Sequence, residues 1–235
     1  MALFDGSFPL KDLPIGLVLY RFGDLFQGMV VERKNRFLVI ASHDGRDFEC
    51  HLHDPGRLKE LIFPGNFVLI RRAHAARTEY RISAARLGSF WILVDSGIHS
   101  DIASHLLCDG FRQEVPLSGK RIDFAWESGA GMVYLEVKGC SLALDSVALF
   151  PDAPTKRGTE QVRALTDYVR EGGRAYVLFL VFSEDATSFQ ANSKTDPDFA
   201  DQLEAFLAAG GEVLTAKAGF RGNTLVYLGS VPLGG

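Results

Sequence analysis

The sequence predicts an α/β (α+β) protein in which a small all-β unit precedes a unit that mixes strands and helices. Seven short β-type runs, separated by turns, occupy residues 16–94, a pattern typical of a barrel or sandwich. After residue 110 strand patterns alternate with two amphipathic helix patterns, which is typical of an α/β domain. With 235 residues, the chain is long enough for two such units. We therefore predict domains at residues 1–95 and 96–235.

The predicted strands of the first unit are short runs rich in β-branched and aromatic residues. They lie at residues 17–20, 28–32, 37–42, 47–52, 67–71, 80–84 and 90–94. A hairpin turn is expected at residues 43–46, because Asp44-Gly45 favours it, and a break is expected at residues 54–56. A helical pattern at residues 97–108, with apolar residues at fourfold spacing, joins this unit to the next.

The second unit is predicted to begin with a strand at residues 111–115 and a β-hairpin, followed by a loop at residues 144–155. An amphipathic helix at residues 156–171 ends at Gly172-Gly173, and an apolar strand suited to burial on both faces follows at residues 175–182. Asp196 is a predicted N-cap with Pro197 at the first helical position. Strands at residues 212–216 and 224–228 complete the unit.

Composition excludes several classes of protein. The net charge of −4 gives no global basic field of the kind that proteins coating nucleic acid usually have, so any nucleic-acid contact must be local. The three cysteines show no Cys-x-x-Cys spacing, which indicates reduced thiols in a cytoplasmic protein. No signal peptide or membrane span is predicted, and we expect no membrane contact.

The most informative segment is the predicted hairpin that joins Arg121-Ile122-Asp123-Phe124 to Tyr134-Leu135-Glu136-Val137-Lys138. If Gly129 and Ala130 centre its turn, Asp123 lies across from Glu136 and Lys138 lies on the same face. Two carboxylates at this short distance repel each other unless a positive charge lies between them. The hairpin therefore predicts a divalent-cation site.

An alternative interpretation of the hairpin is also open. Its apolar residues alternate with its charged ones, so Arg121, Asp123, Glu136 and Lys138 could form the solvated face of an ordinary sheet.

Two neighbouring features favour the metal site. Glu114, on the preceding strand, adds a third carboxylate, and such oxygen ligands suit Mg²⁺ or Mn²⁺. Lys156 and Arg157 begin the amphipathic helix, where cations oppose the helix dipole unless a phosphate binds there. The alternative is that both side chains point into solvent or pair with Asp152.

The motifs Arg-Ile-Asp-Phe, Tyr-Leu-Glu-Val-Lys-Gly and Phe-Pro-Asp-Ala-x-Thr-x-Arg-Gly, in this order, resemble those of the sugar fermentation stimulation protein A (SfsA) family. The resemblance implies an N-terminal OB-like β-barrel and a C-terminal domain similar to PD-(D/E)XK nucleases. It implies that Asp123, Glu136 and the Val137 carbonyl bind the metal, and that Lys138 orients the attacking water or steadies developing charge. Glu114 becomes an accessory carboxylate, and the site is lined by Asp152, Thr155 and Arg157.

The sequence departs from the family pattern at two places. The family's His-x-Pro-Asn-x-Gly motif stands here as His51-Leu52-His53-Asp54-Pro55-Gly56, in which Asp54 can cap a turn as asparagine does. Gln161 occupies a position where the family often has histidine, and glutamine cannot titrate.

Two basic clusters of the barrel are candidates for binding nucleic acid, because OB-like barrels bind single strands through basic, aromatic surfaces. The first comprises Arg71, Arg72, Arg77, Arg81 and Arg86, and the second comprises Arg33, Lys34 and Arg36. Ordinary solvation of strand ends is the alternative.

The family resemblance and the hairpin together predict a DNA-binding protein with a divalent-metal-dependent nuclease site. The alternative function is a non-catalytic DNA-binding regulator of sugar-utilisation genes that keeps the nuclease fold as a scaffold. The sequence leaves open whether the DNA is single- or double-stranded and whether the chain forms a homodimer.

Overall fold

The computed structural model describes residues 3–7, 10–54, 56–73 and 78–234. Two of the residues singled out above, Pro55 and Arg77, lie outside these ranges. The chain folds into a barrel and a larger mixed sheet that carries helices, as the sequence predicts.

The barrel is closed by five strands, with a sixth strand added to one of them. Its strands are β2 (Leu25–Arg33), β3 (Leu38–His43), β4 (Arg46–His51), β5 (Phe67–Arg72), β6 (Tyr80–Leu87) and β7 (Phe90–Leu93). They follow the order β4-β3-β2-β5-β6-β7, and a parallel pairing between β4 and β6 closes the ring. Closure removes the exposed edges that an open sheet would present.

The second unit is built on a seven-stranded sheet in the order β1-β16-β15-β13-β10-β9-β8. Its strands are β1 (Val18–Arg21), β8 (Arg112–Leu117), β9 (Lys120–Ser128), β10 (Gly131–Cys140), β13 (Arg174–Val181), β15 (Glu212–Arg221) and β16 (Thr224–Gly229). A separate small sheet contains β11 (Leu142–Leu144), β12 (Val147–Phe150) and β14 (Ser188–Ala191).

In the described ranges, three α-helices accompany the sheets: α1 (His99–Ser104), α2 (Lys156–Arg170) and α3 (Pro197–Ala208). Asp196 caps α3, as predicted, by accepting a hydrogen bond from the Phe199 N–H at 3.1 Å. No helix in the described ranges is long and apolar enough to cross a membrane.

Two sequence predictions about these elements are wrong. The strand predicted at residues 17–20 is β1, and it pairs with β16 of the large sheet rather than with the barrel. The segment predicted as a loop at residues 144–155 contains β12, which pairs with β11 and β14. The error in β1 concerns a partner, β16, that is distant in sequence, and local patterns do not specify such a partner. The hairpin of β11 and β12 is local, but its turn at Asp145 and Ser146 has positive φ at both residues without the Asn-Gly or Asp-Gly sequence that usually marks such a turn. The boundary at residues 95/96 stays a prediction.

The hydrophobic core runs through both units. One cluster joins the barrel interior, including Val39 and Ile82, to Phe124 and Leu135 on one face of the large sheet. A second cluster packs the opposite face of the sheet against α2 and α3. Burying a side chain of the size of Phe124 stabilises the fold by about 1.5–3 kcal/mol. The shared cluster thus holds the barrel against the sheet at the place where the charged hairpin residues lie.

Candidate metal centre and active-site cavity

The predicted hairpin is formed by β9 and β10, and its register is the one the sequence predicts. Ser128 pairs with Gly131, so residues 129 and 130 make the turn, and the ladder continues to the pair Phe124/Leu135. The next residues along are Asp123 and Glu136, where regular pairing ends. Side-chain carboxylates replace the main-chain hydrogen bonds here. The Glu136 Oε2 atom accepts from the Asp123 N–H at 3.3 Å, and the Asp123 Oδ2 atom accepts from the Val137 N–H at 2.8 Å.

The pairing of β9 with its other neighbour, β8, is also irregular beside Asp123. Pairing between β8 and β9 includes Gln113/Phe124 and Val115/Ile122 but skips Glu114, whose φ of 53° is left-handed. This conformation is uncommon for a residue other than glycine. Loss of ladder bonds on both sides of Asp123 leaves main-chain groups there to be satisfied by the carboxylates.

The interpretation of these charges as a solvated sheet face is wrong for Glu136 and Lys138, whereas Arg121 is exposed. Glu136 is only 2% exposed, and the Lys138 side chain is 11% exposed. The Lys138 Nζ atom donates to the Glu136 Oε1 atom at 2.5 Å and to the Gln161 Oε1 atom at 2.9 Å. Gln161 is itself buried and donates to the Arg121 carbonyl at 2.8 Å. Glutamine at this position therefore fixes the ammonium group of Lys138, a role that does not require titration.

Burial is the main cause that raises the pKa values of both carboxyls. Burial raises the pKa of Glu136 to about 7, with a further increase from Asp123, although the Lys138 ammonium group opposes the shift. The pKa of Asp123 is also raised, chiefly by burial. One ammonium group thus compensates two buried carboxylates incompletely.

The donor set fits a hard divalent cation. In a strand, the N–H and C=O of one residue point to the same side, so the Val137 carbonyl lies on the side of its N–H, toward Asp123. Two carboxylates and a carbonyl are oxygen ligands of the type that Mg²⁺, Mn²⁺ and Ca²⁺ prefer. Within the described residues, no three His, Cys, Asp or Glu side chains cluster as a metal site, and the Val137 carbonyl as a third ligand stays a prediction.

The site opens into a cavity of about 340 Å³ between the barrel and the large sheet. Asp123, Glu136, Val137, Lys138, Asp152, Thr155 and Arg157 all line it, as the family resemblance implies. Neither Glu114 nor Lys156 lies among the lining residues. The Glu114 carboxylate is 56% exposed and lies 3.5 Å from Arg121 Nη1, so its accessory role stays a prediction.

The residues that begin α2 have distinct roles. Thr155 is the N-cap, with its hydroxyl accepting from the Gly158 N–H at 3.3 Å. Arg157 is exposed at the cavity and has no ion pair among the described residues. Asp152 does not pair with Lys156 or Arg157. Instead, its Oδ2 atom accepts from the N–H of Arg57 at 3.0 Å, and Leu58 N lies 3.5 Å from the same oxygen.

Asp152 therefore ties a barrel loop to the wall of the cavity. Gly56 is needed beside it, because a Cβ atom there would lie 2.3 Å from the Asp152 Oδ2 atom. Asp54 caps the same loop, as predicted, by accepting from the Gly56 N–H at 2.7 Å.

His99 lines the cavity and was not singled out from the sequence. Its Nε2 atom is buried without a hydrogen-bond partner, and burial lowers its pKa to about 4, so the ring is neutral. The ring packs directly on Gly139, where a Cβ atom would lie 2.0 Å from the His99 Cε1 atom. Only the folded chain brings α1 against the residue that follows Lys138, so no local signal marks this histidine.

The first predicted nucleic-acid cluster is largely occupied by internal contacts. Arg71 and Arg81 are directed to Asp95, which is fully buried, rather than to an exposed surface. Arg72 is exposed and pairs with Glu79, while Arg86 is exposed and lies 6.0 Å from the ring centroids of Phe67 and Trp91.

The second cluster also differs from the prediction. Arg33 donates to the carbonyls of Asn35, Arg36 and Arg57, and Lys34 pairs with Glu32. Arg36 is exposed and lines the cavity. The structure therefore leaves Arg36, Arg72 and Arg86 as the better-exposed arginines of the two predicted clusters, and their binding role stays a prediction.

Comparison with known proteins identifies the family. The model described as "Sugar fermentation stimulation protein RE domain" matches residues 92–224, and the model of the "SfsA N-terminal OB domain" matches residues 31–94. The chain belongs to the SfsA family. A "Sugar fermentation stimulation protein homolog" of Thermoplasma volcanium is 48% identical over 210 residues, covering 89% of this chain and 95% of the relative. The homolog of Saccharolobus solfataricus is 43% identical over 219 residues, covering 93% of this chain and 90% of the relative.

A solved structure agrees with the fold. The SfsA of Pyrococcus furiosus, determined in complex with Ca²⁺, superposes with a TM-score of 0.85 at 23% identity and covers 92% of this chain and 99% of its own. The predicted fold class is confirmed: an OB barrel precedes a PD-(D/E)XK nuclease-like domain.

Proposed function

We propose that this SfsA family member is a divalent-metal-dependent phosphodiesterase that acts on DNA. The observation that carries the proposal is the incompletely compensated pair Asp123 and Glu136, which converge with the Val137 carbonyl on an open cavity. Buried like charges are costly unless a cation compensates them. The Ca²⁺ complex of the Pyrococcus furiosus protein supports a site for a hard cation.

Asp123, Glu136 and the Val137 carbonyl are the residues that would hold Mg²⁺ or Mn²⁺. When bound, the ion supplies positive charge for phosphate oxygens and lowers the pKa of water. Lys138 holds an ammonium group at the cavity, fixed by Gln161, where it can steady negative charge that develops on a phosphate. Arg157 offers a second cation at the same cavity for orienting the substrate.

The test is a cleavage assay with single-stranded, duplex and branched DNA in Mg²⁺ and in Mn²⁺. We expect metal-dependent cleavage that Asp123→Ala and Lys138→Ala each lower by about 10²–10³-fold, the typical cost of removing one group that stabilises a transition state. Glu127→Ala is the control, because Glu127 lies on the same strand but its side chain is 83% exposed.

Calorimetric titration of Mg²⁺ supplies a readout that is independent of cleavage. The wild type should bind the ion and Glu136→Ala should not. Absence of cleavage on all three substrates, or an equal loss of activity in Glu127→Ala, would contradict the proposal.

A non-catalytic DNA-binding regulator is the second candidate. It is favoured by one observation: Lys138 occupies Glu136 Oε1, and no third acidic side chain joins the pair within the described part of the chain. In that case Asp123→Ala should leave DNA affinity unchanged, and affinity should fall with salt as phosphate contacts are screened.

A further inference from the structure

A second groove adjoins the active-site cavity on its barrel side. We call it the barrel groove and define it by Arg33, Arg36, Arg57, Lys59 and Phe63. Its volume is about 660 Å³, and four residues line both it and the active-site cavity. The shared residues are Arg36, Gly56, Ala153 and Pro154. The barrel groove is therefore continuous with the space that contains Asp123 and Glu136.

The barrel groove is strongly positive. Four cationic side chains line it, and none of its described lining residues is acidic. Arg57 and Lys59 are exposed, and their side chains make no ion pair or hydrogen bond within the described parts of the chain. Arg33 bonds to main-chain carbonyls and also interacts electrostatically with the carboxylates of Asp54 and Asp152, which line the adjoining cavity. Uncompensated cations on a groove wall are the arrangement that binds a phosphate backbone.

Aromatic rings accompany these cations. Phe63 lines the groove with 44% of its surface exposed. Phe37 is 48% exposed, and the Arg36 guanidinium lies 5.5 Å from its ring centroid, close to where the groove meets the cavity. A large exposed ring costs free energy in water, whereas it gives an unpaired base a surface on which to stack.

The active-site cavity is large enough for one nucleotide. Its volume of about 340 Å³ lies within the range of roughly 300–1,000 Å³ that is usual for small-ligand sites. The loop tied by Asp152 to the cavity wall keeps the barrel close to the metal ligands.

We infer that the barrel groove binds single-stranded nucleic acid and leads one strand into the active-site cavity. The inference rests on the proposed function for the fate of the strand, but the binding step does not require cleavage. Phosphates contact Arg57 and Lys59, a base stacks on Phe63, and Arg36 lies where the strand passes into the cavity.

The test measures binding without metal, so that nothing is cut. The fluorescence anisotropy of labelled 12-nucleotide oligodeoxythymidylate, oligouridylate of the same length and a 12-base-pair duplex is titrated with full-length protein in a chelator. The groove variants are the double substitution Arg57→Ala, Lys59→Ala and the single substitution Phe63→Ala.

Each variant has a matched control. Arg46 and Lys194 are exposed cations outside both grooves and without partners among the described residues, so replacing both by alanine changes the net charge equally. Leu144→Ala is the control for Phe63→Ala, because Leu144 is a large apolar side chain that is 58% exposed on β11 and lines neither the cavity nor the groove.

We expect at least one single strand to bind more than tenfold tighter than the duplex. The double groove variant should bind the single strand about tenfold or more weakly. The slope of its log affinity against log salt concentration should be smaller by about 0.7 for each lost phosphate contact. Phe63→Ala should lose about fivefold or more, the usual range for removing a stacked base contact. The controls should bind as the wild type does.

Two results would overturn the inference: equal affinity for duplex and single strands, or groove variants that bind like their controls. If the groove variants lose affinity as expected but the protein cleaves none of the substrates, the proposed function is contradicted and the inference is not. Cleavage that persists while the groove variants bind normally would contradict the inference alone. The difference in affinity between oligodeoxythymidylate and oligouridylate shows whether the groove prefers DNA or RNA.

Discussion

Two buried carboxylate clusters in this protein have opposite charge balance. Asp95, directly after the barrel, is fully buried and accepts from Arg71 at 2.7 Å, and Arg81 Nη1 lies 3.4 Å away. Its Oδ1 atom also accepts from the Gly97 N–H at 3.2 Å. Asp123 and Glu136, in the nuclease-like domain, share one ammonium group between them.

The difference separates a structural charge cluster from a functional one. A buried carboxylate that has two guanidinium partners is fully compensated and needs no ligand. A pair of carboxylates with one cation leaves an excess of negative charge beside an open cavity, and this excess is what attracts a metal ion. In the sequence, each cluster is simply a set of acidic and basic residues. What distinguishes the two clusters is the number of cations that contact each carboxylate in the folded protein.

The largest effect is expected from Asp95→Asn. It keeps the side-chain oxygen but leaves Arg71 and Arg81, whose side chains are 18% and 21% exposed, without a counter-charge. We expect the free energy of unfolding to fall by about 3 kcal/mol, measured by urea denaturation. Glu79→Gln is the control: it removes the partner of the exposed Arg72 and should cost less than about 1 kcal/mol. Equal effects would remove the distinction between the clusters.

The second prediction concerns the pH dependence of stability. Burial raises the Glu136 pKa to about 7, so between pH 4.5 and 7 the folded protein binds more protons than the unfolded chain. The free energy of unfolding should therefore decrease as the pH rises through this range, by about 2 kcal/mol in metal-free protein. Glu136→Gln should lose much of this decrease, whereas Glu127→Gln should keep it. A profile in Glu136→Gln identical to that of the wild type would contradict the assignment.

The third prediction tests the connection between the barrel and the cavity. Asp152→Ala removes the acceptor of the Arg57 N–H, and the loss should lower the free energy of unfolding by about 1–2 kcal/mol. Hydrogen exchange should show faster exchange at the Arg57 and Leu58 amides. Asp24→Ala, at an exposed aspartate, should change neither measurement. Unchanged exchange at both amides would mean that Asp152 does not hold the loop.

The smallest effect on stability is expected at Gln161. Gln161→Ala removes the amide that positions Lys138 and should cost about 1 kcal/mol. If cleavage is observed, kcat should fall about 10–100-fold with KM little changed, as for residues that orient a catalytic group. Gln113→Ala, at an exposed glutamine, is the control. A change in KM alone would indicate a role in substrate binding instead.

The geometry of the hairpin was predicted well because it is local in sequence. A two-residue turn fixes the register of β9 and β10, and that register brings Asp123 to Glu136. The helix start at Lys156 and the Asp196 cap were likewise fixed by short-range chemistry. By contrast, β1 was assigned to the wrong sheet because its partner, β16, lies some 200 residues away.

The sequence by itself determined most of the elements, the hairpin with its two carboxylates and lysine, and the family, but not the small sheet of β11, β12 and β14. The tertiary structure alone decided which charges are compensated: Arg71 and Arg81 by Asp95, Arg57 and Lys59 by none of the described residues. It also decided that Gln161 holds Lys138 and that Asp152 holds the barrel loop. The physical reason is range: turns and caps depend on neighbours in sequence, whereas the compensation of a charge depends on which distant groups folding brings within a few ångströms.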